Sequence, residues 1–187
     1  MTTSTPLQPT LWRTCRVLAN RVRLGMVMAV FQQPGQSVSA IAIRLNLPLP
    51  VASTYLRALE ARGLLVARRM GRHVNYRPAP TDATTPGAEI AAALKTAFRT
   101  ENVPIETVFQ LATAFTHPRR ADIFRAVQAK PRTLLEIQKC TGIPAPALNR
   151  HLRKLESRGF VGCHSGYYVA VLRTDALGRK LAQIATA

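Results

Sequence analysis

The sequence predicts a mainly α-helical chain with small β-hairpins, built from one folding unit used twice. Three observations carry that prediction. The stretch LPLPVASTYLRALEARGLLV, Leu47–Val66, returns 96 positions later as IPAPALNRHLRKLESRGF, Ile143–Phe160, without a gap. Pro48, Pro50, Leu56, Arg57, Leu59, Glu60, Arg62 and Gly63 recur as Pro144, Pro146, Leu152, Arg153, Leu155, Glu156, Arg158 and Gly159. Apolar residues elsewhere recur at helical spacing, interrupted after each repeat by short extended runs around a glycine.

The repeated stretch predicts a helix from about Leu49 to Arg62. Its prolines sit in the first turn, where a missing N–H costs least, and Gly63 stands where a left-handed residue stops the helix. At 100° per residue, Ala52, Tyr55, Leu56 and Leu59 share one side, and Ser53, Thr54 and Arg57 the other. In the second copy the same geometry buries Leu148, His151, Leu152 and Leu155 and turns Asn149, Arg150, Arg153 and Lys154 outward. Such donors reach guanine, adenine or phosphate edges in a major groove.

The remaining elements follow in order. Residues 1–9, rich in Thr, Ser and Pro, are expected to be a flexible arm. Leu11–Ala19 predicts a first helix with Leu11, Cys15 and Leu18 inward. Val22–Gln32, almost wholly apolar, predicts a central buried helix ended by Pro34-Gly35. Ser37 caps a third, Val38–Leu45, and Asn46-Leu47-Pro48 turns into the reading helix. Leu64–Arg69 and His73–Arg77 then form a hairpin about Gly71, whose Arg68, Arg69, Arg72, His73 and Arg77 suit a phosphate backbone or minor groove. Pro78–Gly87 reads as a linker and Ala88–Arg99 as an Ala-rich helix. The second copy repeats the order from Ile105: Thr107–Phe115, Pro118–Gln128, Leu134–Thr141 after Thr133, the reading helix, and a shorter hairpin, Phe160–His164 with Tyr167–Leu172, that has lost its arginines. Asp175 caps a last helix whose Leu177, Leu181 and Ile184 form a stripe. The expected organisation is an arm over 1–9, a first domain over 10–78, a linker with a connecting or dimerisation helix over 79–104, and a second domain over 105–187.

Charge limits the function. Lys and Arg number 26 against 9 acids, a net +17 over 187 residues, and this excess calls for a polyanion. Residues 1–80 hold eleven Arg and one acid, Glu60, whereas 101–187 hold thirteen bases and six acids, so the positive field belongs to both folded halves. Gly25–Phe31 is too short to span a bilayer and the first residues lack a signal-peptide core, so a cytoplasmic, nucleoid-associated protein without a membrane partner is expected. Cys15, Cys140 and Cys163 are isolated and give no disulfide framework. Cys163 and adjacent His164 would point to opposite faces of a strand, so no metal site is expected. Trp12, Phe109, Phe115 and Phe124 read as core or interface. Without a Ser/His/Asp order, a Gly-rich phosphate loop or paired carboxylates, neither catalysis nor a cofactor is expected.

The order of helices, turn, reading helix and wing predicts tandem winged helix-turn-helix domains. It resembles the ArsR-type winged-helix repressors. The carrying residues are Leu18-Ala-Asn-Arg-Val-Arg-Leu24, Phe115-Thr-His-Pro-Arg-Arg120, His151-Leu-Arg-Lys-Leu155 with Gly159, and the wing Arg69-Met-Gly-Arg-His-Val-Asn-Tyr-Arg77. Members of that family are usually single domains that dimerise through first and last helices, so the resemblance implies an intramolecular pseudo-dimer or a homodimer here. The paired thiols and the last-helix histidine that hold metal in many relatives are absent. The leading expectation is a sequence-specific regulator of transcription, a repressor by resemblance, with double-stranded DNA as its partner. Ser53, Thr54 and Arg57 would enter one groove and Asn149, Arg150, Arg153 and Lys154 another, while the first wing holds the backbone. Architectural, replication or partition binding is the alternative, and a protein-interaction scaffold a third.

Overall fold

The computed structural model describes residues 10–71, 73–81 and 85–187. The expected arm, wing residue Arg72 and residues 82–84 of the expected linker lie outside the described residues. The chain is mainly helical with small antiparallel sheets. Its first part runs α1 (Leu11–Leu18), α2 (Arg21–Gln32), β1 (Gln36–Ser37), α3 (Val38–Arg44), α4 (Leu49–Glu60), β2 (Leu65–Met70), β3 (His73–Pro78) and α5 (Pro86–Arg99). The same sequence of elements follows as α6 (Ile105–Ala114), α7 (Pro118–Ala129), β4 (Arg132–Thr133), α8 (Leu134–Thr141), α9 (Ala145–Glu156), β5 (Val161–His164), β6 (Tyr167–Ala170) and α10 (Ala176–Thr186). Both sheets are three-stranded with the last strand central, in the orders β1-β3-β2 and β4-β6-β5.

Local chemistry sets these boundaries. The Ser37 hydroxyl accepts from the Ala40 N–H at 3.2 Å, and Thr133 with Glu136 closes a reciprocal capping box at α8. The turn into each reading helix needs one left-handed residue, supplied by Asn46 (φ 51°) in the first part and Gly142 (φ 65°) in the second. Helix α5 starts at Pro86, two residues before the expected Ala88, because the Thr85 hydroxyl caps it by accepting from the Ala88 N–H and Pro86 is preset for the first turn. Gly87 is needed there: a β-carbon at this position would lie 1.9 Å from the Arg62 carbonyl oxygen, so only glycine lets α5 start against the end of α4.

The buried side chains form one continuous cluster through both parts. Around its middle, α1 packs on α6 and α5 on α10, first helix on first and last on last. Ala88, Ala91, Ala93 and Ala97 of α5 are buried, and this helix packs on α10, where Leu177, Leu181 and Ala185 are buried. Polar contacts edge this seam. Arg21 forks onto Glu106 at 2.7 and 2.9 Å while lying over the Phe109 ring, and Lys180 meets Glu89 at 3.1 Å. The Arg21–Glu106 pair is more than half exposed at both ends, so the buried apolar surface carries the stability. In the second part Phe115, Phe124 and Phe160 pack edge to face, with centroids 4.9 to 6.1 Å apart. Cys15 is wholly buried in the core, whereas Cys140 and Cys163 are exposed. No helix among the described residues is long and apolar enough to cross a membrane.

Candidate nucleic-acid interface

The two reading helices present unlike faces. On α4 the buried side is Ala52, Leu56 and Leu59; Thr54 and Arg57 are exposed, Ser53 is half-buried, and Tyr55 is half-buried rather than fully inward. Among the described residues the Arg57 side chain makes one long hydrogen bond, its Nε donating to the Ser53 carbonyl at 3.4 Å. On α9 Arg150 and Arg153 are exposed, whereas Asn149 and Lys154 are half-buried. Lys154 leans toward α7, and burial together with Arg158 and Arg120 lowers its ammonium pKa from the ordinary value.

The hairpins differ in reach. Strands β2 and β3 pair over six registered positions, from Leu65 with Pro78 to Met70 with His73, and carry exposed Arg68, Arg69, His73 and Arg77. Strands β5 and β6 pair over four, closing on Ser165 (φ 50°) and Gly166 (φ 81°), a two-residue turn whose positive angles match the twist of a tight hairpin. Its tip carries Cys163, His164 and Tyr167 and no cation.

Between α7 and α9 lies a feature that sequence reading missed, a cavity of about 520 Å³. His117, Arg120, Arg150, His151, Arg153 and Lys154 line it, and no described carboxylate does. The His117 and His151 rings stack at 4.7 Å between centroids, tilted by 41°. His117 caps α7, its Nδ1 accepting from the Arg119 N–H at 3.2 Å, which puts the ring proton on Nε2. Arg120 is 8% exposed and His151 6%, yet Arg120 Nε and His151 Nε2 find no hydrogen-bond partner among the described residues. Burial, then His117 and the neighbouring arginines, push the His151 pKa down to about 4; burial and Arg120 lower that of His117. Burial drives the Cys15 thiol behind Arg120 up to about 12, so no thiolate offsets these cations.

The repeat explains why the cavity is legible only after the copies are superposed. Helices α2 and α7 begin 97 positions apart, α4 and α9 only 96, because the first part has one extra residue, Gly35 (φ 88°), in the intervening turn. Asn20, Arg23 and Tyr55 therefore stand where His117, Arg120 and His151 stand. Arg23 is fully engaged: its Nε donates to the Val17 carbonyl at 2.5 Å and its guanidinium lies over the Tyr55 ring at 5.2 Å.

Comparison with known proteins adds three findings. No curated protein matches the chain. A solved structure, human N-acetylserotonin methyltransferase in complex with SAM, matches at 19% identity over 80% of this chain and 39% of that one, with a TM-score of 0.34. The chain thus spans well under half the length of that enzyme. The expectation that the chain is not an enzyme is withdrawn against this methyltransferase neighbour, and at a TM-score of 0.34 the likeness assigns this chain no reaction. Residues 115–163, from the end of α6 through α7, α8 and α9 into β5, match the profile of a helix-turn-helix domain, and the cavity lies inside the matched segment.

Proposed function

We propose that the chain is a sequence-specific regulator of transcription that binds double-stranded DNA through two winged helix-turn-helix units, 10–78 and 105–187, joined by 79–104. The observation that carries this reading is the match of 115–163 to a helix-turn-helix domain, taken with the exposed arginines of α9 and of its counterpart α4. In this reading Ser53, Thr54 and Arg57 enter one major groove, Asn149, Arg150 and Arg153 the next, with Lys154 on the flank nearest the backbone. Arg68, Arg69, His73 and Arg77 of the first wing, together with Arg72 of the same stretch of sequence, hold phosphates. The packing of α1 on α6 and α5 on α10 supports a pseudo-dimer within one chain, like a folded-together pair of ArsR-type subunits acting as a repressor. Reading helices so related would sit about one turn of DNA apart, ~34 Å, over two unlike half-sites.

Selection from a random oligonucleotide pool, followed by binding of the Arg57→Ala/Arg153→Ala variant to the selected site, tests the proposal. Each arginine on a guanine is worth about 1–3 kcal/mol, so specific affinity should fall by about thirtyfold or more while binding to random DNA falls little. An unselective pool would instead favour an architectural binder, which the spread of positive charge also suits.

A further inference from the structure

The cavity between α7 and α9 holds two features that a purely structural role leaves unexplained. Two of its polar side chains, Arg120 and His151, are more than nine-tenths buried; Arg120 Nη2 donates to the Thr116 hydroxyl, but Arg120 Nε and His151 Nε2 have no partner among the described residues. Burying a polar group without a hydrogen bond costs on the order of 1–3 kcal/mol, so such groups are kept where a ligand completes them. The first copy shows the alternative: the same position closed on itself, with Arg23 bonded to backbone and stacked on Tyr55.

We propose that this cavity is a binding site for a tetrahedral phosphate oxyanion, held by Arg120, Arg150 and Lys154 and by His151, which takes up a proton as the anion binds. The proposal rests on the helix-turn-helix reading only for the source of the phosphate, not for the site.

Among the described residues, the charged or titratable groups around the stacked rings are cationic or neutral. Helix α1 brings Arg16 and the neutral Cys15, α7 brings Arg119 and Arg120, and α9 brings Arg150, Arg153 and Lys154, with Arg158 in the turn after α9 donating to Thr113. Burial, and then that field, lower the pKa of both rings from the ordinary imidazole value. An entering anion reverses the sign of the local potential and makes imidazolium favourable. His117 is a poor site for the proton, because a protonated Nδ1 would lose its acceptor role at the start of α7. His151 has no such duty. Its Nε2 is unpartnered, and as imidazolium it would stack on a neutral ring while donating to the anion. The N-terminus of α7, a twelve-residue helix, adds its backbone dipole from the His117 side.

The test uses the full chain in buffers free of phosphate and sulfate. Inorganic sulfate, a dianion that does not itself titrate in the range, is bound calorimetrically at pH 8 and pH 5.5. We expect affinity to rise at least about tenfold between the two, because the linkage allows up to tenfold per unit while His151 gains its proton on binding. His151→Phe keeps a ring in the stack and should bind with an affinity independent of pH. Arg150→Gln, on the exposed rim, should weaken sulfate at least about tenfold without disturbing the fold. A pH-independent affinity in the parent chain, no binding at millimolar sulfate, or unchanged binding in both variants would overturn the proposal. A second arm adds a 30-base-pair duplex. Loss of bound sulfate identifies a DNA backbone phosphate as the occupant, and retention of sulfate on the duplex complex identifies a small phosphate ester; both uphold the site. Sulfate binding with no duplex binding would leave the site standing and defeat the DNA reading, and duplex binding without any sulfate response would do the reverse.

Discussion

Acidification should destabilise the empty protein well above the range where carboxylates titrate, and the His117–His151 stack sets the size of the effect. A histidine whose folded pKa lies below its unfolded value makes folding more favourable above the unfolded pKa. That contribution is lost as pH falls, since the unfolded chain takes up the proton first. For His151 the window runs from 6.5 down to about 4. Each unit is worth about 1.4 kcal/mol, so from pH 6.5 to pH 5 the loss from His151 alone approaches about 2 kcal/mol. His117 adds to it with the same sign. At this chain length about 1 kcal/mol moves Tm by roughly 2–4 °C, so the melting temperature should fall by about 4–8 °C across the window. Glu106 and Glu136, both lowered from 4.5 by hydrogen bonds from Arg21 and from the Thr133 backbone, begin to lose their stabilising contribution only below that value, which isolates the histidines above pH 5. Thermal melts of the parent chain and of His151→Phe, in chloride buffers without oxyanions, measure this. A flat parent profile between pH 6.5 and 5, or the same slope in the variant, would refute the reasoning.

Two further outcomes are expected. Replacing Arg68 and Arg69 by alanine should weaken binding to every duplex alike and reduce the slope of log affinity against log salt by about 1–2, because each lost phosphate contact removes about 0.9; an unchanged slope would detach the wing from DNA. Gly87→Ala should cost about 3 kcal/mol, read as a fall in Tm of roughly 6–12 °C, since its β-carbon meets the Arg62 carbonyl at 1.9 Å; co-melting with the parent would show that α5 does not rest on α4 so closely.

Much of the architecture was legible because it is local. The prolines and terminal glycine of the reading helices, the Ser37 and Thr133 caps and the hairpin glycines act within a few residues, and the elements they bound lie within about two residues of expectation. Inward His151 was legible from periodicity, but what it stands against was not. His117 and His151 meet only because α7 crosses α9, and their cationic surroundings need α1 from the other copy. Nothing in local spacing reports such a crossing. The single extra residue at Gly35 also shifted the register of the repeat, so the equivalence of Arg23 with Arg120 was hidden until helix starts could be compared. Exposure of Arg57 and Arg153 followed from helical geometry alone, whereas the half-burial of Lys154 depends on α7 and did not.

The two copies have diverged in a consistent direction. The first keeps a long hairpin with arginines on it and seals its inter-helix crevice by stacking Arg23 on Tyr55. The second has a short hairpin without cations, yet leaves the equivalent crevice open and lines it with unpaired donors. Positive charge stands along the hairpin strands in one half and lines the crevice between the helices in the other. That pattern fits a division of labour in which the first half grips a polyanion over a broad area and the second engages one phosphate group at a defined point.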